Sequence, residues 1–466
     1  MKGDFSRDSY RPSSQYSRVM MQQGRVQLDS DWNEQTSILL GYMRALTRDL
    51  FGPAAGPAGS CGFSVVTAEM LDGASKAEKD RIDAQLAPEK LEIGDNDLLV
   101  LPGRYYVGGL PVETTRAVRL RARTGFPEVE VDALNKHKWI AYLDVWEDFV
   151  AADQDPYIRE AALNGVDTCG RARIRWQVRL LLDPETEEAI GELPKTGSGR
   201  LKARANPTEE SDGLCSIEPD ARYRGAENHL YRVEIHVGGK AGAGAAFNWS
   251  RDNGAVTFPI RSGKGNMVTL AHLGRDDTTT LIEGDWVELI DDDTAGVGLM
   301  AQVATVRRDD LQVELTSPSG AAVTSYTAEQ AGERHAFLRR WDQRGDLSKS
   351  GGAIPIAEGA ANEFELEDGV KVTFEAGGSY RPGDYWLIPA RVATGDVEWP
   401  GGADTPQFEL PHGPAHYYAP LLARGRNNRS ATFQDMRCCI ARLNCIDRER
   451  LAAPGAVPPP AAAEKK

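Results

Sequence analysis

The sequence predicts a mainly β protein: several small sandwich- or barrel-like domains, preceded by an N-terminal arm and one amphipathic helix. Three observations predict it. Gly 47 and Pro 26 among 466 residues lie a little above the usual combined share of about 12% and favour turns over a helical bundle. Short runs rich in Val, Ile, Tyr, Phe and Trp recur between Gly, Pro and Asp, the texture of strands and turns. Only one long stretch, near the start, shows apolar residues at helical spacing.

Residues 1–27 read as a polar arm carrying Phe5, Tyr10 and Tyr16. Asp31 is a plausible helix cap with Glu34 as its capping-box partner. The helix then runs to Phe51 and stops at Gly52-Pro53. Trp32, Leu39 and Leu46 are seven apart. Leu39, Met43, Leu46 and Leu50 step by four, three and four, so one face is apolar. That face either packs on its own domain or serves as a docking or oligomerisation seam. Trp32, Leu39, Met43, Leu46 and Leu50 are the residues that would form the seam.

Residues 53–90 are Ala/Gly/Pro-rich and then charged, and read as a linker and surface excursion. Strand-like runs begin at Leu91. Residues 173–180 alternate cleanly: Arg173, Arg175, Gln177 and Arg179 against Ile174, Trp176, Val178 and Leu180. That is a half-buried strand with one basic face. Ser250-Arg251-Asp252-Asn253-Gly254 reads as a hairpin, because Asn-Gly suits a type I′ turn. The linear division is an arm and helix (1–52), three β-rich regions (53–210, 211–325 and 326–450) and a Pro/Ala tail (451–466).

Lys+Arg 54 against Asp+Glu 69 gives a net charge of −15, which argues against a phosphate-backbone binder with its basic stripe. Residues 1–50 hold seven basic and six acidic side chains, so the acidic excess sits in the β-rich body. The first twenty residues lack the apolar core of a signal peptide, and the longest uncharged stretch, Leu50 to Ala68, is too rich in Gly and Pro to span a membrane. The expected location is the cytoplasm, with exit by lysis or within a larger particle. Six cysteines (61, 169, 215, 438, 439, 445) follow no zinc or redox spacing and read as buried or idle thiols.

Catalytic motifs are missing. There is no phosphate-binding loop, dinucleotide fingerprint or H-E-x-x-H, and Gly377-Gly378-Ser379-Tyr380-Arg381 reads as a plain turn where a nucleophile elbow would need a further Gly. His412 and His416 are spaced for two metal ligands on a helix, but Gly-Pro-Ala between them argues for a loop. Asp291, Asp292 and Asp293 read as a solvated turn, with a loose calcium site as the sharper alternative. Asp144, Glu147 and Asp148 lie on one strand, which does not provide the fixed separation of a glycosidase pair. His229 and His236 fall on opposite faces of a strand. No catalytic, cofactor-binding or metal-binding residues are assigned.

The opening MKGDFSRDSYRPSSQYSRVMMQQGRVQLDSDWNEQ resembles the start of a bacterial family linked to phage tails and contractile injection systems. Its members begin MKGDFSR and continue with Y-x-x-V-x-x-Q-Q-G-R-V-x-L-D-x-D-W-N-E-Q. YLDVWEDFV, IREAALNGVDTCGRARIRWQVRL, LYRVEIHVGG, FNWSRDNGAV, RPGDYWLIPARVATGDVEWP and HYYAPL extend the resemblance to about residue 421. Cys169-Gly170 departs from the usual Ala-Thr after G-x-D-T. The resemblance implies a structural, baseplate- or fibre-associated part of a tail-like particle, not an enzyme. Other particle proteins would be its partners, and it would form a homo-oligomer, a trimer being usual for fibres. One alternative is a carbohydrate- or surface-binding module with Trp176, Trp249, Trp286 and Trp386 as stacking platforms, against the plainer reading of these as core. The other is a cargo hydrolase, which would need two of Asp144, Glu147, His236 and Asp252 joined in a cleft.

Overall fold

A computed structural model describes residues 1–94, 97–120, 137–205, 222–274, 276–292, 294, 297–318, 320, 325–359, 361–402, 404–427 and 430–440. The fold is mainly β, with several sheets, one closed six-stranded barrel and few helices. It is organised by nesting. Trp139–Val150 pairs along its whole length with Arg171–Leu182. Its other edge takes Tyr417–Asn427, which pairs with Ser430–Asp435. The outer domain is therefore begun by early strands and finished by late ones, around a core that includes Trp139, Leu143, Val178 and Leu421.

Between these strands the chain builds a middle domain. One sheet runs Ile354–Pro355, Ala246–Ser250, His229–Val237, Tyr385–Arg391, Asp396–Val397; a second runs Glu363–Glu365, Val370–Phe374, Leu201–Ala205. Alternation decides how they face. Tyr231, Val233 and Ile235 join Phe247, Trp386, Val372 and Phe374 in a shared core, while Arg232 and Glu234 point the other way. Into this domain is inserted the barrel: Thr257–Lys264, Met267–Leu270, Gln312–Thr316, Leu299–Arg307, Trp286–Ile290 and Phe337–Trp341. Phe258, Val268, Val287, Val303, Leu315 and Leu338 fill it, and closure removes its sheet edges.

Several sequence readings change. Strand pairing does not follow the linear division. Phe337–Trp341 belongs to the barrel, Tyr385–Arg391 to the middle domain and Tyr417–Asn427 to the outer domain, although all fall within 326–450. Residues 53–90 are not a linker. Ala54–Pro57 pairs with Cys439–Ile440 and Gly103–Val107, Phe63 and Val65 are buried, and Lys76–Leu86 is a helix burying Ile82 and Leu86. The Asn253-Gly254 turn has the expected positive φ values, 51° and 66°, but it closes no hairpin. Ala246–Ser250 pairs within the middle sheet and Thr257–Lys264 within the barrel, so the turn hands the chain from one domain to the next. The tail 451–466 and Asp293, Cys215 and Cys445 lie outside the described residues.

Candidate functional site

The helix α1 spans Asp29–Phe51. It starts two residues before the expected cap: the Leu28 amide donates to the Asp31 carboxylate at 3.0 Å, and Glu34 instead accepts from the Ser9 hydroxyl. A free amide at the helix start takes the nearest carboxylate one turn on, which moves the cap upstream. Gly52, at φ 77°, ends the helix with its amide on the Arg48 carbonyl.

The orientation of α1 is the first functional observation. Its body-facing side buries Ser30 and Ile38, brings Gly41 against the Tyr10 hydroxyl and pairs Arg44 with Glu147 at 2.7 Å. The apolar stripe faces solvent: Trp32, Leu39, Met43, Leu46 and Leu50 are 53–65% exposed. Leu40 and Tyr42 widen it, and Tyr16, Met20, Met21 and Val26 of the arm are exposed as well, with Leu28 at the helix start. Packing of this face on the helix's own domain is thereby overturned. Apolar residues scattered singly over a surface are ordinary, whereas a run of them along one helix face is not. Of the arm's exposed residues, the sequence singles out Tyr16 but not Met20, Met21 or Val26, because single apolar residues in a polar segment show no period.

The arm is anchored in the second observation. The charged face of the middle sheet is covered by residues 1–5. Lys2 pairs with the buried Glu234 at 2.6 Å and lies over the Trp341 ring. Arg232 also holds Glu234, at 2.5 Å. Burial alone would push the Glu234 carboxyl up, but Lys2 and Arg232 outweigh it and hold it at about 2. The Asn253 amide nitrogen donates to the carbonyls of Met1 and Gly3, at 3.0 and 2.8 Å, and its oxygen accepts from Arg232 at 3.1 Å. Gly3 has no room for a side chain: a Cβ would meet the Phe5 and Phe149 rings at 2.8 and 2.9 Å. Phe5 packs on Leu230, Tyr385 and Leu387. Ser6 then ties the arm to α1 through two bonds to the Asp29 carboxylate.

A third arrangement joins the outer and middle domains. Asp144, fully buried, meets His416 Nδ1 at 2.6 Å, Arg179 Nε at 2.9 Å and Arg381 Nη2 at 3.3 Å. Arg381 also donates to the Tyr418 hydroxyl, and the His416 ring stacks on Trp146. Burial pushes the His416 imidazole down, against the pull of Asp144, and pushes the Tyr418 phenol up. Sequence reading paired neither Asp144 with His416 nor either with Arg381, because the partners are 272 and 237 residues from Asp144. No local signal could have found them.

The remaining candidates disperse. Glu147 holds Arg44 and Asp148 lies 3.7 Å from Arg175, so neither faces Asp144 as a carboxylate pair. Asp252 binds His229 at 3.1 Å, while His236 lies towards Glu288 and Glu234 and is pushed down by burial. His412 accepts from the Leu387 amide, away from the Asp144 partnership of His416. Asp291 departs from the solvated-turn reading, being buried and paired with Arg334 at 2.7 Å, whereas Asp292 lies exposed in a turn and meets His335 at 2.6 Å. Trp249, Trp286 and Trp386 are core residues, and Trp176 packs edge-on against Phe63, so the four form no exposed platform. Cys61 is half-buried, whereas Cys169, Cys438 and Cys439 are exposed thiols.

The model of a family of unknown function, DUF6519, matches residues 1–195 and 195–466. The chain belongs to this family. No curated protein and no solved structure matches it. Within this family member, the sequence blocks quoted above meet at the two charged clusters. MKGDF, LYRVEIHV, FNWSRDNG and RPGDYWLI converge on Glu234 and Asn253. YLDVWEDFV, RIRWQVRL, RPGDYW and HYYAPL converge on Asp144. Among the described residues, no helix is long and apolar enough to cross a membrane.

Proposed function

We propose that the protein is a structural component of a phage-tail-like particle or contractile injection system, baseplate- or fibre-associated, acting by assembly. The observation that carries this reading is α1: a helix held rigidly on its inner side that presents Trp32, Leu39, Met43, Leu46 and Leu50 to solvent. Burying such a stripe against a partner gains roughly 25 cal/mol per Å² of apolar surface, and the helix is already ordered, so little entropy is lost on docking. The resemblance of the N-terminal block supports the particle context. The anchored arm supports it mechanically, because the arm sets where α1 begins. The protein would be made in the cytoplasm and leave it within the particle.

The test is a Trp32→Ser/Leu39→Ser/Leu46→Ser variant of the full chain, expressed in a producing cell in place of the wild type. The reading expects wild-type protein to co-purify with sheath and tube proteins and the variant to be lost from that fraction while remaining folded by circular dichroism. Particles that incorporate the triple variant at the wild-type level would refute the role of α1.

A further inference from the structure

We infer that the surface covering α1 is α1 of a second copy of the same chain, joined through a heptad seam. The inference rests on the reading of α1 as an assembly element and names its partner. Six of the exposed residues of α1 fall into a strict register. Trp32, Leu39 and Leu46 occupy one core position of a heptad, and Thr36, Met43 and Leu50 occupy the other, three residues before or four after. All six are exposed. A 3.5-residue repeat is the period by which one helix packs against another through knobs and holes; an α-helix packing on a sheet has no need of it. Here the repeat lies on the outside, opposite the side that carries Ser30, Ile38 and Arg44.

The positions flanking the seam point to a self-copy. They are Asn33, Leu40 and Thr47 on one side and Gln35, Tyr42 and Asp49 on the other. Five of the six are uncharged. A heterotypic pair is selected by opposite charges at these positions, and this helix offers almost none to select with. For a chain of net charge −15, a neutral flank also removes the repulsion that would keep two copies apart.

The area is sufficient. With the five large seam residues 53–65% exposed, they offer on the order of 600 Å², and Leu40 and Tyr42 raise this to about 800 Å², which matches the roughly 800 Å² per partner of a standard interface. Three heptads are marginal for free peptides, but α1 is already folded and held by Arg44–Glu147, Ser6–Asp29 and Ser9–Glu34.

The test is sedimentation velocity on the full chain across the micromolar range, with a Leu39→Glu/Leu46→Glu variant. Self-association of the wild type and a monomeric variant with unchanged circular dichroism are expected. A Leu46→Cys variant, in a background with Cys169, Cys438 and Cys439 changed to Ser, should cross-link between copies on oxidation, and an Arg48→Cys control should not. A wild type that stays monomeric, or a variant that associates equally well, overturns the self-pairing. Monomeric protein that still co-purifies with tail particles overturns the self-pairing alone and leaves the assembly role intact. Self-association together with normal incorporation of the triple Ser variant overturns the assembly role alone.

Discussion

Asn253→Asp isolates the arm anchor with a change of one atom. The side-chain amide nitrogen donates to the carbonyls of Gly3 and Met1, at 2.8 and 3.0 Å, while the amide oxygen accepts from Arg232. Two carbonyls on one side and a guanidinium on the other leave only this orientation of the amide. Aspartate has the same shape and tolerates the φ of 51°, but it puts an oxygen against each carbonyl with no proton between. A buried acceptor left without its donor costs about 1–3 kcal/mol. Met1 O keeps Arg232 at 3.3 Å, so Gly3 O bears the full loss, and the attraction of the new carboxylate to Arg232 offsets part of it. The net cost to arm docking is about 2 kcal/mol, or roughly 30-fold in its opening equilibrium. Hydrogen exchange of the segment 1–10, whose Ser6 amide is held by Asp29, should quicken by about that factor, with faster tryptic cleavage at Arg7. Exchange within twofold of the wild type would refute the anchor. Global unfolding should move little, because the change releases a strap and leaves the three cores intact.

Other outcomes follow from the same geometry. Glu234 drops from 4.5 to about 2 in the folded protein, so its contribution is present above pH 4.5 and is lost as pH falls towards 2. At about 1.4 kcal/mol per pH unit this amounts to about 3 kcal/mol. Urea midpoints measured between pH 5 and 3 should therefore fall more steeply in the wild type than in Glu234→Gln; equal slopes would contradict the shift. Asp144→Asn removes the buried charge that Arg179 and Arg381 face, and because both guanidinium groups reach solvent it should cost about 1–2 kcal/mol, read as a lower urea midpoint; an unchanged midpoint would remove the Asp144 cluster as a domain latch. Arg171 donates to the exposed Cys169 sulfur at 3.1 Å and lowers its pKa, while burial pushes the Cys61 thiol up to about 12. Iodoacetamide at pH 7.5 should label Cys169 at least about tenfold faster than Cys61, as read by peptide mass spectrometry, and the reverse order would show that Cys61 is not held as described. Gly3→Ala should weaken arm docking, detected by the same exchange measurement, because both rings around it are packed; exchange unchanged from wild type would show that the site can yield.

The sequence alone determined what depends on short-range pattern. The mainly β class follows from the strand texture and the excess of Gly and Pro. The alternation of residues 173–180 is legible for the same reason: a strand's two faces are written two residues apart. The apolar stripe of α1 is legible because its residues recur within one or two turns. Tertiary structure decided what the pattern could not carry. The stripe reads identically whether it faces a core or water, and only the packing of Ile38 and Arg44 against the body shows which side is out. Asn253-Gly254 specified a turn, but the pairing of its flanking strands with other partners made it a domain crossing. The nesting of barrel in middle domain in outer domain, and the joining of Asp144 to Arg381 and His416, rest on contacts between residues hundreds of positions apart. Such contacts leave no local period, because what selects them is the shared burial of their partners once the chain has folded.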